Sequence, residues 1–185
     1  MSYTYKTKRL ILKVLSEDDV NFVLDYYIRN REFLDEWEMK KDNSFYTTEV
    51  QKSNLQRDLK DYKEGRLLRF WIFKKEEKEK IIGSVAFSNI VRGAFLSCNL
   101  GYKSDLQEIN KGFITEAVEK GIEIIFNEYK LHRIEANIMP KNKASFNVVE
   151  KLGFYNEGRA YKYLKINGNW EDHIHMVLLN SSSRV

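Results

Sequence analysis

The chain has 185 residues, of which 43% are hydrophobic and 31% are charged, and its net charge is +4. That length fits one well-buried domain, and the mild basic bias falls well short of the positive stripe expected of a nucleic-acid-binding domain. Its single cysteine, Cys98, excludes an internal disulfide framework, and no apolar run approaches the length that spans a bilayer. Because the N-terminus has no apolar core to act as a signal peptide, the sequence predicts a cytoplasmic protein.

Hydrophobic periodicity divides the N-terminal part of the chain, up to residue 103, into short strands and helices. A capping-box-like pair, Ser16 and Asp19, opens the first helix, and Thr47 or Thr48 caps the second. Residues 31–46 between these helices predict an ordered loop or a short helix. In chain order the predicted elements are a strand at 9–14, helices from 16 to about 30 and from 47 to about 65, and strands at 68–74, 81–89 and 94–103, with a charged turn at 75–80 and a hairpin turn at 92–93.

After a polar loop at 105–110, the remaining chain predicts two helices and three strands. Pro140, the only proline, ends one strand, Gly153 stops the helix that follows, and Asn167-Gly168 is a strong hairpin signal. The predicted elements are a helix from 112 to about 129, a strand at 133–139, a helix at 144–152, and strands at about 154–166 and 171–179. This order predicts a single mixed α/β domain over residues 5–180, followed by a polar tail at 181–185.

Residues 109–114, Ile-Asn-Lys-Gly-Phe-Ile, follow a predicted strand and open a predicted helix. A loop in that position binds a diphosphate with unpaired backbone N–H groups and with the positive end of the helix dipole. It needs residues that tolerate unusual backbone angles, and glycine and asparagine do so. Taken alone the loop is a weak signal, because a Gly112 that merely begins a helix is the commoner arrangement.

The loop resembles the diphosphate-binding signature of the GNAT superfamily of N-acetyltransferases, Arg/Gln-x-x-Gly-x-Gly/Ala. Ile109, Gly112 and Ile114 occupy its first, fourth and sixth positions, and only Gly112 matches strictly. The form Asn-Lys-Gly-Phe-Ile-Thr-Glu-Ala, which begins at Asn110, is similar to the variant of the RimJ/RimL ribosomal-protein acetyltransferases. The departures at the first and sixth positions affect side chains and leave the backbone donors available.

Further matches in the same order extend the resemblance over roughly residues 5–180. Those to the later half of the family are Arg133-Ile-Glu-Ala-Asn-Ile-Met-Pro140, Asn142-Lys-Ala-Ser145 and Lys151-Leu-Gly-Phe154. Those to the RimJ branch are Asp25-Tyr-Tyr27, Asn30-Arg31 with Phe33-Leu34 and Trp37, Ser88-Asn89-Ile-Val-Arg-Gly93, Asn99-Leu-Gly-Tyr102, and Asn167-Gly168 with Trp170 and Asp172-His173. The resemblance implies a central, mostly antiparallel twisted sheet of about seven strands, flanked by about four helices.

The resemblance implies acetyl-coenzyme A as the donor, no metal, and, as the acceptor, the N-terminal α-amine of a ribosomal protein, typically on alanine. An α-amine has an ordinary pKa of about 7.7–8.0, so a useful neutral fraction exists at pH 7 and direct attack on the thioester needs little help from a base. Two alternatives stay open: acetylation of a small amine such as an antibiotic or polyamine, and a ribosome-associated assembly factor with little catalysis. A monomer and a homodimer are equally compatible with the sequence.

The resemblance also implies roles for particular residues. The expected cofactor-binding positions are the strand backbone at Tyr102 and Ser104, the loop residues Ile109, Asn110, Lys111, Gly112, Phe113, Ile114 and Thr115, and Asn142. Many members protonate the leaving thiolate with a tyrosine seven residues after the position of Asn142, where this chain has Val149. Ser145 is the implied substitute, unless it only satisfies a backbone group in the first turn of its helix.

Two carboxylates are candidates for the general base, Glu38 and Glu135. An ion-paired strand residue is the simpler explanation of Glu135, and a solvated loop charge suits Glu38 equally well. Trp37, Asn89 and Arg92 are the candidate contacts to the acceptor, with a core aromatic and a turn as the structural alternatives. The three histidines are not spaced as a metal-ligand set.

Overall fold

A mixed sheet of eight strands forms the centre of the computed structural model, which describes residues 3–181. The strands are β1 Thr4–Lys6, β2 Leu10–Lys13, β3 Leu68–Lys74, β4 Glu77–Val91, β5 Ser97–Ser104, β6 Arg133–Ile138, β7 Tyr155–Ile166 and β8 Asn169–Leu179. They lie in the order β1-β2-β3-β4-β5-β6-β8-β7, and only the β5–β6 pair is parallel. The predicted mostly antiparallel sheet is confirmed.

Five α-helices cover the two faces of this sheet within the described residues. They are α1 Val20–Arg29, α2 Arg31–Asp35, α3 Thr48–Lys63, α4 Phe113–Asn127 and α5 Lys143–Lys151. Alternation along β3 sends Phe70 and Ile72 into one apolar cluster, with α4 and α5, and Trp71 and Phe73 into a second, with α1 and α2. None of these helices is long and apolar enough to cross a membrane.

Most predicted boundaries lie within a few residues of the observed ones, and the differences have local causes. The charged turn predicted at 75–80 is wrong, because β4 already begins at Glu77 and pairs it with Lys74 across a two-residue turn. An ion pair of 2.7 Å between these two side chains lets charged residues continue the strand beyond its apolar part. The strand β1 was not predicted, because three residues carry no periodic signal.

Helix starts show smaller differences of the same kind. Ser16 and Asp19 form the expected capping box, but they open a 3-10 turn at Glu17–Asp19, and α1 begins only at Val20. Thr47 caps α3 as predicted, accepting a hydrogen bond from the backbone N–H of Val50. Residues 31–46 contain the short α2 and a 3-10 turn at Asn43–Tyr46, and the loop at 105–110 contains one at Leu106–Glu108. Of the predicted tail, residues 182–185 lie outside the described residues.

Asp105 fixes the chain where β5 ends and leads into the loop that the sequence predicts to bind a diphosphate. Its carboxylate is 1% exposed, accepts a bond from the backbone N–H of Gln107 at 2.9 Å, and pairs with the guanidinium of Arg29 on α1. Burial alone raises the pKa of a carboxyl group, but here the Gln107 amide and Arg29 more than offset it, so the pKa of Asp105 lies below its ordinary value.

We expect Asp105→Asn to lower the free energy of unfolding by about 2–3 kcal/mol at pH 7, because it breaks a largely buried ion pair. A carboxyl whose pKa is depressed by folding stabilises the protein above its ordinary pKa, near 3.9, and loses that contribution as the pH falls through the depressed value. Urea unfolding at pH 7 and at pH 3 measures both effects. The difference in the free energy of unfolding between wild type and variant is expected to be smaller at pH 3 than at pH 7. A difference that does not depend on pH contradicts the lowered pKa of Asp105.

Candidate functional site

The strands β5 and β6 are paired over only part of their length. Their parallel register runs from Ser97 with Arg133 to Asn99 with Glu135. Beyond it, β5 continues to Ser104 paired on its other side with β4, while β6 continues paired with β8. The two strands therefore separate and open a wedge. Among residues 3–181, the β5 backbone from residue 100 to 104 has no strand partner on the β6 side.

The loop at the mouth of α4 lies beside the open end of this wedge. Asn110 and Gly112 have φ angles of 60° and 76°, which turn successive peptide groups into one concave surface. No side chain caps α4, and within residues 3–181 the backbone N–H groups of residues 109–115 have no hydrogen-bond acceptor. A row of free donors at the positive end of a helix dipole is a site for a phosphate-bearing ligand.

The side chain of Lys111 turns away from this mouth. Its Nζ donates to the carbonyl of Gln107 at 2.7 Å and to Glu108 Oε2 at 2.9 Å. The remaining predicted loop positions divide between surface and core: Ile109 is exposed, and Phe113, Ile114 and Thr115 are half-buried. The side chains of this loop thus shape and anchor it, and its backbone supplies the donors.

Arg9, which the sequence analysis assigned only to the first strand, supplies a cation at the loop. Its Nη1 donates to the carbonyl of Lys111 at 3.0 Å, and its Nε pairs with Glu116 in the first turn of α4 at 2.6 Å. The guanidinium lies 4.5 Å from the centre of the Phe113 ring, and Nη2 lies 3.5 Å from the place that a Cβ atom on Gly112 would take. The arginine therefore stands beside the open amides and adds positive charge there.

A hydrogen bond crosses the wedge from β5 to α5. The hydroxyl of Tyr102 donates to the main-chain carbonyl of Ser145 at 2.8 Å. Burial raises the pKa of Tyr102 well above its ordinary value, and the bond to Ser145 offsets only a part of that rise. Tyr102 is therefore a neutral donor at physiological pH and holds α5 at a fixed distance from β5.

Asn142 and Ser145 form the N-terminal turn of α5. The side chain of Asn142 is the N-cap and accepts from the backbone N–H of Ser145 at 3.1 Å. With its amide and its carbonyl both bonded, Ser145 is fixed in place, and within the described residues its hydroxyl has no hydrogen-bond partner. Val149, at the position of the tyrosine used by many family members, is fully buried in the core. Of the two residues, Ser145 alone has a polar side chain, and Tyr102 of β5 bonds to its backbone.

Glu38 lies on the opposite face of the sheet from α5. It pairs with Lys103 of β5 at 2.5 Å and with Lys41, and its backbone carbonyl accepts from the N–H of Asn167 at 2.8 Å. Burial favours a raised pKa, but the two lysines outweigh it, so the pKa of Glu38 is lowered. A carboxylate held ionised between two cations is a weak proton acceptor, which disfavours the role of general base.

Glu135 lies at the closed end of the wedge. It pairs with Nε of Arg133 at 2.7 Å, and Arg133 also binds Glu157 of β7. Both carboxylates therefore bind the same arginine. This agrees with the simpler explanation of Glu135, an ion-paired residue on a strand. The neighbouring thiol of Cys98 is buried, and this burial, with Glu135 nearby, raises its pKa to about 12.

The three predicted acceptor contacts do not lie together. Trp37 is half-buried beside Glu38, with Nζ of Lys141 5.9 Å from the centre of its ring. Arg92 and Asn89 instead flank the β4–β5 hairpin turn, where the guanidinium of Arg92 donates to the carbonyl of Tyr129. That turn is at the Ser97 end of β5, roughly 20–25 Å of strand away from the open end of the wedge. Of these three residues, only Trp37 lies near the open end of the wedge, where the acceptor is expected to enter.

Several known proteins are similar to this chain in sequence and in fold. The sequence model of the acetyltransferase (GNAT) domain matches residues 9–155. The chain is 37% identical over 175 residues to YjcK of Bacillus subtilis strain 168, a probable N-acetyltransferase, covering 95% of this chain and 96% of that protein. It is 39% identical over 168 residues to the ribosomal protein uS5-alanine N-acetyltransferase of Escherichia coli K12, covering 91% of this chain and 86% of that protein.

A solved structure matches over the same extent. The ribosomal-protein-S5-alanine acetyltransferase of Vibrio fischeri superposes with a TM-score of 0.93 at 34% sequence identity. The superposition covers 100% of both chains. Sequence and fold therefore agree on the same relatives.

Proposed function

Because the chain belongs to the GNAT acetyltransferases, and within them to the RimJ type, we propose that it acetylates the N-terminal α-amine of a ribosomal protein in the cytoplasm. The acetyl donor is acetyl-coenzyme A. We propose alanine as the acetylated residue, since the relatives from Escherichia coli and Vibrio fischeri carry that residue in their names.

The observation that carries the proposal is the row of free backbone N–H groups at residues 109–115, next to the wedge between β5 and β6. Coenzyme A has a diphosphate to accept from such donors, and Arg9 adds a cation to the same place. Its pantetheine arm carries amides, which suit the unpaired β5 backbone from residue 100 to 104. The residues present therefore fit the diphosphate and the pantetheine arm of the donor.

The chain's own groups suffice for direct transfer. In that step the nitrogen of a neutral amine forms a bond to the thioester carbonyl carbon, the carbon–sulfur bond breaks, and the thiolate leaves. The unpaired N–H groups of β5 are placed to stabilise the developing oxyanion. We assign the hydroxyl of Ser145 to protonate the thiolate, because Ser145 lies in the first turn of α5, bonded to Tyr102 of β5, and its hydroxyl has no hydrogen-bond partner within the described residues. The proton that the amine loses passes to water, and Ser145 regains a proton from water, so that its hydroxyl is restored.

A purified-protein assay tests the acceptor. The protein is incubated with acetyl-coenzyme A and one of three acceptors: an Ala-starting ribosomal peptide, the same peptide with a blocked α-amine but a free lysine, and a panel of small amines. Release of free thiol with the first acceptor alone supports the proposal. Turnover of small amines alone, or coenzyme A binding without turnover alongside ribosome co-sedimentation, contradicts it.

The role of Ser145 gives a further prediction. We expect Ser145→Ala to lower kcat about tenfold or more, with the affinity for acetyl-coenzyme A little changed, because a general acid acts only in the transition state. Ser145→Thr keeps a hydroxyl and is the matched control, expected to retain most of the rate. Steady-state kinetics with calorimetric binding of coenzyme A separates the two quantities. A wild-type rate for the alanine variant removes the acid role.

A further inference from the structure

A cavity of about 260 Å³ lies between α1, α3, β3 and β5, on the face of the sheet opposite to α4. Four basic side chains line it, from Lys41, Arg57, Arg69 and Lys103, against the single acid Asp58. Glu38 pairs with both Lys41 and Lys103, and Asp58 lies beside Arg69, so the cavity keeps an excess of positive charge. That excess favours an anionic ligand.

Two of these cations have hydrogen-bonding capacity to spare. Arg57 donates to the side chain of Asn54 at 2.9 Å, and within the described residues it has no carboxylate partner. The Nε of Arg69 is fully buried and lies 3.3 Å from the carboxylate of Asp58, but without the geometry of a hydrogen bond. Burial raises the pKa of Asp58, and the nearby Arg69 offsets only part of that rise. A buried donor without a hydrogen-bond partner, such as the Nε of Arg69, gains most from a charged acceptor.

The cavity adjoins the part of β5 that lines the open end of the wedge. Lys103 follows Tyr102 in β5, and strand alternation places their side chains on opposite faces. Tyr102 faces α5 across the wedge, and Lys103 lines the cavity. A peptide whose amine enters the wedge advances about 3.3–3.6 Å per residue, so one of its first few side chains reaches the cavity.

We propose that this cavity binds a carboxylate of the acceptor, carried by an acidic side chain within the first few residues after the acetylated amine. The inference rests on the proposed function and specifies its substrate class. Arg57 and Arg69 bind the carboxylate, and the apolar walls formed by Leu55 and Trp71 suit the methylene groups of a glutamate side chain.

The test uses a series of otherwise neutral Ala-starting peptides with one glutamate at position 2, 3, 4 or 5, each matched by the glutamine peptide. Affinity for the coenzyme A-loaded protein is measured by calorimetry, and kcat/KM is measured by thiol release. We expect one position at which glutamate improves both quantities about tenfold over glutamine. Equal affinities for the acid and the amide at every position overturn the proposal, whether or not the peptides turn over.

Variants on α3 locate the effect. Arg57→Gln is expected to reduce the preference for glutamate from about tenfold to threefold or less. Lys60→Gln changes the net charge equally on the same helix, at an exposed residue away from the cavity, and should keep the wild-type preference. Equal effects of the two variants overturn the assignment to this cavity.

Failure of the proposed ribosomal acceptor can be distinguished from failure of the cavity. If small amines alone are acetylated, the same comparison is made between an amine that bears a carboxylate and its primary amide. A preference for the acid that Arg57→Gln reduces supports the cavity, and equal rates and affinities overturn it.

Discussion

Replacing Gly112 with valine is expected to lower the affinity for coenzyme A about a hundredfold or more while the fold survives. Gly112 has a φ of 76°, a left-handed conformation that costs a residue with a Cβ atom about 1–2 kcal/mol and a β-branched one more. Space is not limiting, since a Cβ atom would lie 3.5 Å from Nη2 of Arg9. The strain therefore acts through the backbone: the loop relaxes and its N–H groups no longer point at one ligand.

The control for this change is Gly112→Asn, because asparagine adopts the left-handed conformation more readily than other residues with a side chain. Calorimetric titration with coenzyme A should find the asparagine variant near wild type and the valine variant far weaker. Circular dichroism and thermal unfolding establish that both remain folded. Unchanged affinity in a folded valine variant is incompatible with phosphate binding at this loop.

The second large effect is expected in the packing of α4 on the sheet. Gly121 faces β4 so closely that a Cβ atom there would lie 2.4 Å from Cε2 and 2.8 Å from Cζ of Phe87. Both residues are fully buried, so the ring has little room to move. We expect Gly121→Val to lower the free energy of unfolding by about 3 kcal/mol, despite the removal of a glycine from a helix.

A second substitution tests the cause. Phe87→Leu alone is expected to cost about 1–2 kcal/mol, because it leaves a small cavity. Combined with Gly121→Val it should make space for the new side chain, so that the double variant is more stable than the sum of the single effects by at least about 1 kcal/mol. Urea unfolding of the four proteins measures this coupling. Simple additivity contradicts a steric origin.

Features set by local backbone chemistry were predictable from the sequence. The Asn167-Gly168 turn has φ angles of 42° and 86°, as the hairpin signal requires, and Gly112 has the left-handed angle expected of a glycine that opens a phosphate-binding loop. Thr47 and Asn142 cap their helices through their own side chains, which is again a property of a few adjacent residues. Such signals depend on a few neighbouring residues, so they can be recognised in the sequence without knowledge of the fold.

Side-chain partners from distant parts of the chain were not predictable. Arg9 contacts Lys111 and Glu116 across more than a hundred residues, and no pattern around Arg9 separates it from other strand residues. The pairing of Glu38, a candidate general base, with Lys103 of β5 likewise joins distant parts of the chain. The position of Arg92 was also not predictable. The sequence correctly predicted the hairpin turn that contains Arg92, but the end of the sheet at which this turn lies depends on the register of β4 and β5 with distant strands.

The hydrogen bond from Arg9 to Lys111 links the predicted diphosphate-binding loop to the N-terminal strands β1 and β2. The strands β1 and β2 form a short hairpin. In its connecting turn, Thr7 and Arg9 bind the carboxylate of Glu116 on α4. The two contacting segments are 109 residues apart at Thr7 and Glu116, so the contact forms only once both have been synthesised. The predicted diphosphate-binding loop therefore gains its arginine from tertiary folding, and a change in the β1–β2 turn is expected to act on it.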